Sequence, residues 1–179
     1  MGKKNFSVEL SQSGIEELKK QLLNYRNVEL PNKCKELVER LIKIGVNVSQ
    51  DKINESPLGK YVTISTDISS SKMGCDGVLL AKGTIKQQEG YAPFSVLLAI
   101  EFGAGIHYNP IPNPKASELG FGVGTFPGQI HAFEDYWFYW DENLQEWKPT
   151  HGVQATMPMY SADMEIIQNV IKQAKEVFK

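Results

Sequence analysis

Cysteine is scarce in this sequence, with only Cys34 and Cys75 among 179 residues. Two cysteines are too few for a disulfide framework or a cysteine-rich zinc site. Long hydrophobic runs are also absent: the longest nearly apolar stretch, 94–100, is far shorter than the ~20 residues of a membrane span. The initial Met-Gly-Lys-Lys precedes no apolar segment of the secretory type. We therefore expect a soluble protein, made in a reducing compartment and not associated with a membrane.

A strong net charge is missing as well. Nineteen Lys and Arg residues against 21 Asp and Glu residues give −2, whereas proteins that bind nucleic acid by neutralising phosphates are clearly basic. The charge is unevenly spread, because residues 1–60 carry +3 and residues 89–147, with eight acids and one Lys, carry −7. The acidic stretch is typical of a solvated surface, or of a surface to which DNA does not adhere.

Most motifs of catalysis are absent. The glycines at 120, 122, 124 and 128 do not fit the dinucleotide-binding pattern, and neither a P-loop nor a G-x-S-x-G nucleophile motif occurs. His107, His131 and His151 could hold a catalytic zinc with a carboxylate such as Asp135, but their spacings of 24 and 20 residues match no compact ligand pattern. Glu101 could act as a general acid, or could cap loop amides. A binding or structural module is thus favoured over an enzyme, and a metal-assisted hydrolase stays an alternative.

Helices are indicated near both ends of the chain. A capping box at 13–16 predicts a first helix, and Pro31 predicts the start of a second that ends at Gly45. Apolar residues from Tyr160 to Phe178 recur every three or four positions after Pro158, which predicts a closing helix.

The middle of the chain changes to the two-residue period of strands. The pattern predicts strands over 61–68 and 78–85, joined by a turn at 73–77, and a third strand over 94–102 that is covered on both faces. The expected fold class is therefore α+β: two N-terminal helices, a small, mainly antiparallel sheet and a C-terminal helix packed on it. We expect one domain over residues 1–179.

The segment 103–134 interrupts this pattern with six glycines and four prolines and no sustained periodicity. We interpret it as an extended arm or insertion. An aromatic hairpin is predicted over 136–148, and eight of the 18 aromatic residues fall between Phe126 and Trp147. Leu144 stands where a two-residue turn would favour Gly, which indicates a longer turn.

Two short motifs carry a resemblance to a known family. Residues 100–105, Ile-Glu-Phe-Gly-Ala-Gly, precede residues 151–162, His-Gly-Val-Gln-Ala-Thr-Met-Pro-Met-Tyr-Ser-Ala. In this order they resemble the neck, head–tail connector or tail-completion (minor tail) proteins of long-tailed bacteriophages. The long insert beginning at Asn109 and the Trp-rich hairpin resemble the versions in prophages of low-GC Gram-positive bacteria. Ala104 departs from the Ser or Thr that is commoner in the family.

The resemblance implies a structural virion protein that joins head and tail or completes the tail as part of a ring, with six copies expected. Its partners would be itself and the connector, tail-tube or tail-terminator proteins, and DNA would pass nearby without specific binding. It implies no catalytic residue, cofactor or metal, and a location in the virion, with assembly in the bacterial cytoplasm. A small host binding module is the further alternative.

The same resemblance directs attention to two sets of side chains. The arm 103–134 would reach a neighbouring subunit and become ordered on contact. Candidate subunit-interface residues are Glu101, Phe102, Phe121, Phe126, Trp137, Trp140 and Trp147. Candidate acids facing the DNA channel are Glu134, Asp135 and Glu142.

Overall fold

The protein is described from a computed structural model that covers residues 6–71, 74–87, 90, 93–141 and 143–179. It contains four α-helices and three two-stranded sheets within these residues, which confirms the predicted α+β class. The chain forms two compact units. Unit 1 comprises Met1–Gly45, Thr66–Leu79 and Glu165–Lys179, and unit 2 comprises Val46–Ser65 and Leu80–Met164. The expectation of a single domain over 1–179 stays a prediction.

The N-terminal helices follow one another without a break. Helix α1 spans Gln12–Asn24, a π-helical turn spans Tyr25–Glu29, and α2 spans Leu30–Asn54. The second helix thus begins one residue before the predicted start at Pro31, but no break separates it from the first. Proline has no N–H to donate and crowds the preceding turn, and the π turn just before it, with the Leu30 N–H bonded to the Tyr25 carbonyl, carries the helix across this position.

The predicted end of the second helix at Gly45 is wrong, since α2 continues for nine residues beyond it, to Asn54. Gly45 is needed for packing. A Cβ at this position would lie 2.7 Å from Cδ1 of Ile166 and 3.1 Å from Cδ2 of Leu79, all within unit 1. The absent side chain lets these two residues approach the helix backbone.

The N-cap of α1 lies two residues before the one that the capping box predicts. Ser11, rather than Ser13, accepts a hydrogen bond at its Oγ from the Gly14 N–H, at 3.1 Å. The box motif is met in sequence, but Ser11 has the extended backbone that an N-cap requires.

The strands form three separate pairs rather than one sheet. Strands β1 (Val62–Ser70) and β2 (Cys75–Gly83) pair with each other. The short strands β3 (Ile85–Lys86) and β4 (Phe94–Ser95) pair antiparallel, as do β5 (Trp137–Asp141) and β6 (Glu146–Thr150). The predicted turn at 73–77 lies partly outside the described residues.

The predicted third strand over 94–102 is wrong beyond its first two residues, because Val96–Phe102 forms helix α3. Ser95 caps this helix by accepting a hydrogen bond from the Leu98 N–H at 3.4 Å. The fully buried residues Val96, Ala99 and Ile100 follow helical spacing. A continuous apolar run fits a buried strand and a buried helix equally well, and here the N-cap decides for the helix.

The core of unit 2 is built around α3. Val96 and Ile100 pack with Ile53 and Val62, and Ala99 packs with Ala104 and Phe126. The closing helix α4, Pro158–Val177, begins at the predicted proline. In unit 1 its last turns lie beside α2, where Arg40 contacts Glu176 at 3.2 Å. None of the helices within the described residues has the length and apolar character of a membrane span.

Candidate functional site

The two motifs that carry the family resemblance lie side by side in unit 2. Ala104 and Val153 form an antiparallel bridge, with N–H to carbonyl distances of 2.8 and 2.9 Å. Three residues after Val153, the Thr156 N–H donates to the carbonyl of Ile100 at 2.9 Å. We call this pairing of segments 100–105 and 151–162 the motif junction. Segments about fifty residues apart in sequence therefore form one local structure.

Glu101 lies at the centre of the motif junction and is 8% exposed. Its Oε2 accepts a hydrogen bond from the Met159 N–H at 2.9 Å, and its Oε1 accepts one from the Tyr160 N–H at 3.0 Å. These are free N–H groups of the first turn of α4, so the carboxylate caps that helix. Burial raises the pKa of the Glu101 carboxyl, against the opposing effect of these hydrogen bonds. The capping role, rather than a general acid facing solvent, fits this burial.

Asn113 completes the surroundings of Glu101. Its Nδ2 donates to the Glu101 carbonyl at 3.1 Å and to Oε1 of the same residue at 2.9 Å. Its Oδ1 accepts from the Lys115 N–H at 2.9 Å. The side chain is 2% exposed, so it holds this part of the insert against α3 from within.

Asn109 fixes the insert to the other half of the motif junction. Its Nδ2 donates to the carbonyls of Gly105 and Val153, both at 2.9 Å, and its Oδ1 accepts from the Ala155 N–H at 2.7 Å. The interpretation of 103–134 as an extended arm is therefore corrected, whereas its interpretation as an insertion and its contact with a neighbouring subunit stay predictions. The segment is folded against its own unit because two buried asparagines supply the hydrogen bonds that regular secondary structure would otherwise provide.

Trp137 attaches the aromatic hairpin to the motif junction. Its indole lies on the backbone of Gly105 and Gly152, where an added Cβ would stand 3.2 and 3.0 Å from Cη2. Both glycines have positive φ angles, +91° and +119°, a backbone conformation that residues with a side chain rarely adopt. The ring also stacks on His131, with centroids 6.0 Å apart. Trp137 is half-buried and serves as an internal anchor of the hairpin.

The hairpin itself presents aromatic rings to solvent. Trp140 is paired with Trp147 and Phe138 with Pro149 in the register of β5 and β6, and the alternation of a strand places these residues on one side. Phe138, Trp140 and Trp147 are 55%, 44% and 54% exposed. The two indoles meet edge to face at 5.6 Å. We call these three residues the aromatic face.

The turn of the hairpin is held by hydrogen bonds to Asp141. Residues 142–145 connect the strands, which is longer than a two-residue turn, as Leu144 indicated. The Asp141 carboxylate accepts hydrogen bonds from the N–H groups of Asn143 and Leu144 at 3.0 and 3.3 Å. Desolvation acts to raise the pKa of Asp141, but these hydrogen bonds and the Lys148 ammonium outweigh it and lower that pKa.

The three histidines lie around the segment 134–135, each with its own partner. Nε2 of His107 is 3.4 Å from Oδ1 of Asp135, and Nδ1 of His131 is 2.8 Å from Oε1 of Glu134. Nδ1 of His151 is 2.8 Å from the Asp135 carbonyl oxygen. Across the described part of the chain, no three His, Cys, Asp or Glu residues are grouped so that they could bind a metal ion.

Two of the three acids proposed for a channel surface lie within the described residues. Glu134 and Asp135 are exposed, with 53% and 86% of their side-chain surface in solvent. Both lie just before β5, at the base of the hairpin. Glu142 lies outside the described residues.

The structure buries three of the seven predicted interface residues, leaves Phe121 and Trp137 half-buried, and exposes the other two. Glu101, Phe102 and Phe126 are buried in unit 2, where Phe102 packs on the half-buried Phe121 at 4.9 Å between ring centroids. Because these side chains are enclosed by their own chain, we remove the buried three from the candidate contact surface. Trp140 and Trp147 remain on it.

Sequence reasoning missed several residues of this region. Phe138 belongs to the aromatic face, and the two-residue alternation from Phe138 to Trp140 was the signal for it. Asn109 and Asn113 were read only as part of a Pro-rich insert, and no local pattern marks them as buried. Comparison with protein-family models, curated proteins and solved structures finds no match for this chain.

Proposed function

We propose that this protein is a structural virion component of a tailed phage or prophage, which joins head and tail or completes the tail as part of a ring. The aromatic face is the observation that carries the proposal. Exposed Trp and Phe side chains held in a regular array are enriched at protein contact surfaces and supply most of the energy of such contacts.

The support beneath the aromatic face favours a contact that is formed and kept. Trp137 fixes the hairpin to the motif junction, and Asn109 and Glu101 fix the motif junction within unit 2. A preorganised surface loses little conformational entropy on binding. The two motifs on which the family resemblance depends thus support the surface to which we assign the subunit contact.

Charge near the hairpin suits passage of DNA rather than its binding. Glu134 and Asp135 are exposed at the base of the hairpin, within a stretch of −7. Phosphates are repelled by such a surface, so a ring that presents it inward would let DNA move without adhering. Glu142 belongs to the same proposal by its place in the sequence.

The test is electron microscopy of particles produced by a phage or prophage that lacks this gene. Unjoined full heads and tails are expected. Complete, infectious virions at the normal yield would contradict the proposal. Metal analysis of the purified protein is the complementary measurement, because stoichiometric zinc would favour the hydrolase alternative instead.

A further inference from the structure

Helix α1 has an apolar side that the described part of the chain leaves uncovered. No residue of α1 is buried, and Ile15, Leu22 and Leu23 are 58%, 46% and 39% exposed. A shallow apolar hollow runs along this side, lined by Ile15, Leu18, Lys19, Leu22, Leu23 and Arg26. Most helices in proteins are stabilised by packing of such a side against other elements. We therefore expect the exposed apolar side of α1 to pack against a partner.

The charges along α1 indicate which partner fits. Its first half carries Glu16 and Glu17, and its second half carries Lys19 and Lys20. Within the described residues, the side chains of Glu16, Lys19 and Lys20 form neither hydrogen bonds nor ion pairs. A helix that is acidic in one half and basic in the other is complementary to a second copy of itself that runs in the opposite direction.

Position around the helix agrees with this. At 100° per residue, Glu16 and Lys19 fall on the same flank of the stripe formed by Ile15 and Leu22. In an antiparallel pair related by a two-fold axis, equal flanks face each other, so Glu16 of each copy lies on the side of Lys19 of the other. Apolar burial supplies the affinity, and the charge pairs select the antiparallel direction.

We propose that α1 is an antiparallel self-association surface, on which α1 of a second copy of this chain docks by its apolar side. The contact is isologous, with the same patch used by both copies. It uses none of the residues of the aromatic face. The proposal therefore adds a two-fold contact to the ring contact and does not depend on it.

The test is charge reversal in the full-length protein, followed by sedimentation velocity. One variant carries Glu16→Lys and a second carries Lys19→Glu, the two charges that flank the apolar stripe. Each alone places like charges opposite each other, and we expect its dimer dissociation constant to rise about tenfold or more, given the ~0.2–1 kcal/mol of each exposed pair. An equimolar mixture of the two is expected to form heterodimers with near wild-type affinity.

A third variant separates pairing from effects on the helix itself. Reversing both charges at once, Glu16→Lys with Lys19→Glu, gives a helix with an unfavourable dipole interaction but restored self-complementarity. It should dimerise like the wild type. A Trp140→Ser/Trp147→Ser variant should keep the α1 dimer while losing the ring contact, so the two proposals fail separately.

Three outcomes would overturn the inference. The first is a folded, full-length wild-type protein that stays monomeric at all concentrations tested. The second is a mixture of the two charge variants that does not form heterodimers. The third is a wild-type protein that does not dimerise but sediments with anionic phospholipid vesicles, whereas an Ile15→Asp/Leu22→Asp variant does not. That result would make α1 a membrane-surface helix.

Discussion

At the scale of single residues, Glu101 connects the fold to the candidate site. One carboxylate accepts hydrogen bonds from two N–H groups at the start of α4 and from Asn113 of the insert. It thereby joins α3, α4 and the insert at the point where the two motifs meet. A residue that looks from sequence like a possible general acid is here a structural cap.

Replacement of Glu101 by Gln tests this role. The amide nitrogen of Gln cannot accept a hydrogen bond, so either the Met159 or the Tyr160 N–H loses its partner. Leaving a buried donor unpaired costs about 1–3 kcal/mol, and we expect the free energy of unfolding to fall by that amount in denaturant titrations. Glu118→Gln is the matched control, since the Glu118 side chain is exposed and pairs with Lys115 at the surface. Equal stability of both variants would contradict the capping role.

The difference in unfolding free energy between the wild type and Glu101→Gln should depend on pH, with a defined sign. Burial raises the pKa of Glu101 above its ordinary value of 4.5, so the folded state holds this proton more tightly than the unfolded state. Its contribution to stability is complete below pH 4.5 and decreases as pH rises through the folded pKa. Gln at this position gains and loses no proton, so only the stability of the wild-type protein carries this pH dependence. The stability difference between wild type and Glu101→Gln should therefore shrink as pH rises, and growth with pH would contradict the raised pKa.

At the scale of elements, the closing helix and the hairpin could be predicted from sequence. In α4 the apolar period extends over five turns, and in the hairpin the aromatic residues mark both strands. Helix α3 could not be distinguished from a strand, because a short apolar run carries no period and the decision came from the Ser95 cap. At Pro31 and Gly45 the local pattern predicted helix boundaries that the structure does not have. The π turn continues the helix into Pro31, and tertiary packing explains Gly45 within α2.

The insert marks the limit of prediction from sequence. Its glycines and prolines correctly predicted irregular backbone, but the burial of Asn109 and Asn113 depends on carbonyl and N–H groups of residues up to 46 positions away. Such contacts leave no periodic trace in a single sequence. The aromatic face was found in part, and its internal anchor, Trp137, could not be told from its exposed members.

Gly45 provides a test at this scale. Val at this position would place a branched side chain where a Cβ alone already crowds Ile166 and Leu79. Overpacking of this kind typically costs ~1–3 kcal/mol, which thermal unfolding would detect. Ile166→Ala in the same chain should recover part of the loss. Additive destabilisation by the two changes would show that contact with Ile166 is not the cause.

At the scale of the whole molecule, the account assigns one surface to each function. We propose that the aromatic face makes the ring contact, that the exposed acids face DNA, and that α1 pairs two copies of the chain. Reversal of charge at Glu134 and Asp135 tests the second assignment. With both replaced by Lys, DNA phosphates would adhere to the ring, and we expect particles that assemble normally but eject DNA poorly, with reduced infectivity. Unchanged infectivity would contradict the channel assignment.

The most direct test of the central claim compares two aromatic substitutions in phage particles viewed by electron microscopy. Trp140→Ser/Trp147→Ser removes the indoles of the aromatic face, and Tyr108→Ser removes an aromatic ring of similar exposure, 46% against 44% for Trp140, outside the hairpin. We predict unjoined heads and tails for the tryptophan variant, as for loss of the gene, and complete virions for the Tyr108 variant. Complete, infectious virions from a stably folded tryptophan variant would contradict the account.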